Sequence, residues 1–116
     1  MKEKLQGLSK LTEIILEHSF RDYRLDQLTA EDMEKLRGIV LHHVFRLPMF
    51  ECDVLVFSFG LCKQEIKPLE VLGKAADFTA SEMEEVTVKA LRDLVDISWI
   101  DIFKTLIDIR NKKRQA

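Results

Sequence analysis

The sequence predicts an all-α protein, mainly helical, folded as a compact bundle of five or six helices. Three observations lead there. Helix breakers are scarce, with 2 Pro and 4 Gly in 116 residues, which favours long regular elements over many turns. Apolar residues recur at spacings of three and four along most of the chain, the period of a helix with one buried face. A Thr or Ser followed three residues later by an acidic side chain stands at three places before such a segment, the signature of a helix start.

The first helix is expected from Lys2 to His18, with Leu5, Leu8, Leu11 and Ile15 on one face and Ile14 and Leu16 widening it. The stretch "SFRDYRLDQ" reads as a connection. A second helix follows from Ala30 to Arg46, with the stripe Met33, Leu36, Val40, Val44 and Leu47. Pro48 ends it, because proline disfavours the helical conformation of the residue before it. Residues 49–63, "MFECDVLVFSFGLCK", pull two ways. Val54, Val56, Phe57 and Phe59 favour a strand or hairpin. A lone strand would leave backbone groups unpaired, and its nearest partner, "EIKPLEVL", contains Pro68, which removes a ladder donor. A buried helix satisfies its own backbone and is the reading preferred here.

Pro68 suits the start of a short helix, "PLEVLGKAA", loosened at Gly73. A longer helix is expected from Ala80 to Val95, carrying Met83, Val86, Ala90 and Leu94. The last is expected from Trp99 to Lys112. Trp99, Ile102, Phe103, Leu106 and Ile109 form its stripe, Ile100 and Ile107 extend it, and the polar residues cluster opposite. Its apolar arc is about 180°, against a usual minimum of about 100° for a surface helix. The chain reads as a single helical domain over 1–116, with a basic, frayed tail at 110–116.

The segment "LTAEDMEKL" (28–36) is echoed by "FTASEMEEV" (78–86). In each a Thr, Thr29 or Thr79, caps the helix, an acidic residue three on, Asp32 or Glu82, reaches back, and an apolar pair brackets the cap. Ser98 and Asp101, bracketed by Ile97 and Ile102, form a third such unit with almost no shared residues. This is helix-start chemistry used three times rather than a duplication.

Composition excludes several classes of function. With 47% apolar and 33% charged residues the chain is expected to fold. A net charge of −2 gives no global attraction to nucleic acid or anionic membrane. Two cysteines, Cys52 and Cys62, are too few for a disulfide framework. The opening "MKEKLQGLSK" has no apolar core of a secretory signal, and no apolar run is long enough to span a bilayer. A cytoplasmic protein is expected, with no membrane association.

No motif commits the chain to a chemistry. His42 and His43 point about 100° apart on a helix, so they do not readily share an ion. With His18, Cys52 and Cys62 they form no known ligand spacing, so neither a metal nor any other cofactor is expected. Residues 67–94 can be drawn as a helix-turn-helix, but Glu82, Glu84 and Glu85 would then face phosphates. "RNKKR" (110–114) lacks interleaved aromatics and suits the negative end of a helix dipole. Nucleic acid is not an expected partner.

Arg37 and His42, in "RGIVLH", are separated by four residues. That spacing resembles the Arg-x(4–6)-His signature of HEPN-type ribonucleases, which are small helical dimers. The resemblance implies a His42 acting on a ribose hydroxyl while Arg37 steadies the phosphate. The residue after the Arg, usually polar in that family, is Gly38 here. The plainer reading makes Arg37 a solvated residue and places His43 near the buried stripe.

The positive signal is surface. The apolar arc of the last helix must be covered by the bundle or by a partner, because large exposed apolar patches are rare on monomers. The expectation is a small protein-interaction module without catalysis: a regulatory, adaptor or assembly-chaperone subunit. It would associate with itself as a homodimer, or with another protein, through Trp99, Ile100, Phe103 and Ile107. A nucleic-acid-acting helical protein using Arg37 and His42 is the alternative. A ligand-binding bundle with Phe57 and Phe59 in a pocket wall is a third reading.

Overall fold

In the computed structural model five α-helices and one 3-10 turn account for the regular structure, and no strand occurs among the described residues. The structure describes residues 2–62 and 64–115, with side chains for 7–62 and 64–112. Leu5, Lys63, Lys113 and Arg114 therefore lie outside the side chains described. The helices are α1 (Lys2–Ser19), α2 (Ala30–Val44), α3 (Met49–Phe59), α4 (Leu69–Ala76) and α5 (Ala80–Gln115), with the 3-10 turn at Leu25–Gln27.

The ambiguous apolar segment is helical. α3 buries Glu51, Cys52, Val54, Leu55 and Val56 and exposes Met49 and Phe50 beside Asp53, so it has no polar face to give it an amphipathic period. It lies against α1, α2 and α5. Its backbone closes on itself and ends at Gly60, which adopts a left-handed conformation (φ 65°), while its N–H and that of Leu61 reach the Val56 carbonyl. A residue without Cβ adopts that conformation at little cost. α4 ends in the same manner at Asp77 (φ 62°), and Phe78 N–H donates to the Gly73 carbonyl at 2.7 Å. Gly73 does not loosen the helix: it is buried within it, close against the Phe78 carbonyl and Met83.

Both Thr caps form complete boxes. Thr29 N–H donates to Asp32 Oδ2 at 2.9 Å and Asp32 N–H to Thr29 Oγ1 at 3.1 Å. Thr79 and Glu82 exchange the same pair of bonds, both at 3.1 Å. The third unit is different. Ser98 starts no helix: it is fully buried inside α5, and its hydroxyl donates to the Leu94 carbonyl at 2.6 Å. A serine inside a helix can satisfy itself on the carbonyl four residues back. Nothing between Val95 and Trp99 breaks a helix, and Ala90, Leu94, Ser98, Ile102, Leu106 and Ile109 form one unbroken buried stripe. The two helices expected over 80–112 are thus one helix of 36 residues.

At about 1.5 Å per residue that helix accounts for the 54 Å long dimension of the molecule. It is the spine: α2, α3 and α4 all pack on it, and α1 packs on α2 and α3. The core lies between them, built from Leu11, Ile15 and Phe20, Leu36, Val40 and Val44, Leu55 and Leu61, and Leu94 and Ile102. α5 is helical through Gln115, so the basic 110–115 stretch continues the spine.

Candidate functional site

The four residues expected at an interface lie along the second half of α5. Trp99 is 39% exposed and Ile100 48% exposed. Phe103 and Ile107 are half-buried, while Ile102, Leu106 and Ile109 from the same arc turn into the core. The arc is therefore divided, one flank covered by the bundle and the other left to solvent.

Phe20 and Tyr23, from the connection after α1, complete this surface. The Trp99 and Phe103 rings stack at 5.0 Å with 9° between their planes. Phe20, itself buried, stacks on Trp99 at 5.6 Å. Tyr23 meets Phe103 edge-to-face at 6.1 Å and Phe20 at 5.4 Å. The spacing of Trp99 and Phe103 places both rings on one side of a helix. Phe20 and Tyr23 arrive because the chain turns back just after α1, with Tyr23 N–H bonded to the Phe20 carbonyl at 2.9 Å. The turn needs a left-handed backbone at Arg24 (φ 54°). Beside the cluster an open groove of about 790 Å³ runs between residues 22–28 and the end of α5, flanked by Tyr23, Arg24, Leu28, Ile107 and Arg110.

A second polar constellation joins α2 to α5. His43 is 1% exposed, and its Nε2 lies 2.7 Å from Asp101 Oδ2. Arg46 Nη1 approaches His43 Nδ1 at 3.4 Å. A guanidinium only donates, so Nδ1 accepts and Nε2 carries the proton toward Asp101 in the neutral ring. That hydrogen bond, and after it the nearby charges of Lys104 and Arg46, holds the Asp101 carboxyl below the usual range, with its partial burial acting the other way. Both ring nitrogens are engaged within the fold, so the pair acts as a strut between helices and presents no free base to a substrate.

Arg37 and His42 lie on different sides of α2, since five residues amount to about 140° of rotation. His42 is exposed and Arg37 half-buried. The shallow depression containing His42 is lined by Lys35, Gly38, Ile39, His43, Asp101 and Thr105, without Arg37. Phe57 and Phe59 are half-buried. Cys52 is buried and Cys62 exposed, both as free thiols. Among the described residues no group of three His, Cys, Asp or Glu is placed to hold a metal ion, and no helix is long and apolar enough to cross a membrane.

A long-range ion pair that no local sequence signal announces ties α3 to α5. Lys89 Nζ donates to Glu51 Oε2 at 3.2 Å and to Asp93 Oδ2 at 2.9 Å. Among the described residues Glu51 Oε1 finds no hydrogen-bond partner, although it is buried. Burial, and then the neighbouring Asp93 carboxylate, push the Glu51 carboxyl up against the opposing pull of Lys89.

Comparison with protein-family models, with curated proteins and with solved structures finds no match.

Proposed function

We propose that this chain is a small protein-interaction module, a regulatory, adaptor or assembly-chaperone subunit, which acts by binding and self-associates through the outward flank of α5. The observation that carries the reading is the ring cluster of Trp99, Phe103, Phe20 and Tyr23, which sits beside Ile100 and leaves Trp99 and Ile100 substantially exposed. Large aromatic side chains held rigidly by their neighbours lose little entropy on binding and dominate interface energetics. A contiguous apolar patch bordered by charge is the usual mark of a docking surface.

The test is sedimentation equilibrium of the full chain over a wide range of concentration. The expected result is reversible dimerisation that Ile100→Asp abolishes while the helical circular dichroism and melting profile stay as in the wild type. Ile100 lies outside the buried core cluster, so this variant is expected to fold. A monomer at every concentration overturns the proposal, and so does association unaffected by Ile100→Asp.

A further inference from the structure

The outward flank of α5 has a second regularity. Asp96, Ile100, Phe103, Ile107 and Arg110 are spaced by four, three, four and three residues. That is the alternation of a coiled-coil seam. All five lie on one side of the helix: Asp96, Ile100 and Arg110 are exposed, and Phe103 and Ile107 half-buried. The seam is apolar in its middle and oppositely charged at its two ends. Among the described residues neither Asp96 nor Arg110 has an ion-pair partner.

Such a stripe is complementary to itself turned end for end. Asp96 lies seven residues before Phe103 and Arg110 seven after it, about 10.5 Å in each direction. We infer that the occupant of this face is a second copy of the chain, its α5 antiparallel to the first and related by a twofold axis near Phe103. Asp96 of each copy then meets Arg110 of the other. This rests on the interaction reading of α5 and adds the partner, its direction and its register.

The charges choose the direction. With parallel helices Asp96 would face Asp96 and Arg110 would face Arg110, two like-charge contacts at the rims of a small apolar centre. The antiparallel arrangement turns both into attractions. The groove beside Arg110 adds a second cation, Arg24, to the end that receives the carboxylate, and Asp22 also lines it. An isologous contact of this kind closes on two copies and leaves no site for a third. From 96 to 110 the seam is only about 21 Å long, which suits a reversible dimer rather than an obligate one.

Charge reversal in the full chain, read by sedimentation equilibrium at low salt, tests the register. Each exposed pair is worth little, but it occurs twice and reversal replaces attraction with repulsion. Asp96→Arg and Arg110→Asp should each weaken dimerisation roughly 5- to 30-fold. The double variant Asp96→Arg/Arg110→Asp should return to within about threefold of the wild type, and added salt should compress all these differences. Single reversals that change nothing, or a double variant no better than the singles, overturn the antiparallel register. If Ile100→Asp still abolishes association in that case, the α5 surface stands and only its pairing is wrong. If Ile100→Asp is also without effect, or the wild type never dimerises, the interaction reading falls with it.

Discussion

Two glycines inside helices face opposite surroundings, and the same substitution should act on them with opposite sign. Gly38, exposed in the middle of α2, has nothing within 4 Å of the place a Cβ would occupy. Replacing it with Ala removes the backbone entropy penalty of Gly in a helix, a gain of about 0.5–1 kcal/mol. Gly7, in α1, lies against the last residue of α3. A Cβ there would fall on the Phe59 carbonyl oxygen, with the carbonyl carbon 3.0 Å away. That neighbour is backbone, and it can yield only if α1 and α3 move apart. Overpacking of this kind costs about 1–3 kcal/mol, which exceeds the propensity gain over most of its range. At about 2.1 cal/mol/K per residue the unfolding entropy of the 116-residue chain makes 1 kcal/mol worth about 4 °C. Gly38→Ala should therefore raise Tm by about 2–4 °C and Gly7→Ala should lower it by up to about 10 °C. Calorimetry or a circular dichroism melt of the two single variants decides the matter. Equal stabilisation by both would refute the close crossing of α1 and α3.

Thr79→Ala breaks a reciprocal cap and should cost about 1 kcal/mol in urea denaturation. Ser98→Ala should stay within about 0.5 kcal/mol, because the lost hydroxyl bond and the gained helix propensity oppose each other; an equal cost at both sites would place a helix start at 98. Stability should also fall on both sides of a pH optimum. A carboxyl raised on folding, as in Glu51, contributes fully below its unfolded value, and that contribution is lost as pH rises through the folded one. Carboxyls lowered on folding, as in Asp93 and Asp101, contribute above their unfolded values and lose that contribution as pH falls through the folded ones. Glu51→Gln should flatten the urea midpoint on the alkaline side and weaken the Asp93 share of the acid limb, which leans on Glu51, while the Asp101 share remains; a curve parallel to the wild type throughout would show that Glu51 does not titrate abnormally.

What was legible in the sequence was whatever is written locally. The apolar periods of α1 and α2 and the Thr29 and Thr79 boxes are decided within a turn or two of chain, and they stand in the structure; α2 ends at Val44, short of the expected Arg46, and Pro48 instead opens α3 as its N-cap. α3 could not be settled by residue type, because β-branched and aromatic residues also fill a helix that is buried from several sides. The Ser98 unit misled for a related reason. A cap pattern is only permission to start a helix, and here continuous burial from Leu94 to Ile102 made carrying on more favourable than stopping. The surface was half legible. The period of α5 marked Trp99, Ile100, Phe103 and Ile107, but which flank the bundle covers is set by distant segments. Phe20 and Tyr23 reach Trp99 and Phe103 across some 80 residues of sequence, Asp101 meets His43 across 58 residues and Glu51 meets Lys89 across 38. Such contacts carry no spacing signature. The two aromatics three apart in a largely polar connection were the one available hint.

The long spine also bears on the order in which the fold can be assembled. Synthesis runs from the N-terminus, so α1 to α4 emerge before any of the helix on which α2, α3 and α4 rest. Until Met83, Leu94 and Ile102 follow, the apolar sides of those earlier helices have only α1 and one another to cover them. α1 with α2 and α3 can gather early, but α4 has little to hold it. Until α5 emerges the nascent chain therefore carries exposed, half-assembled helices, and closure of the bundle waits on a single element threading along the whole length of the molecule.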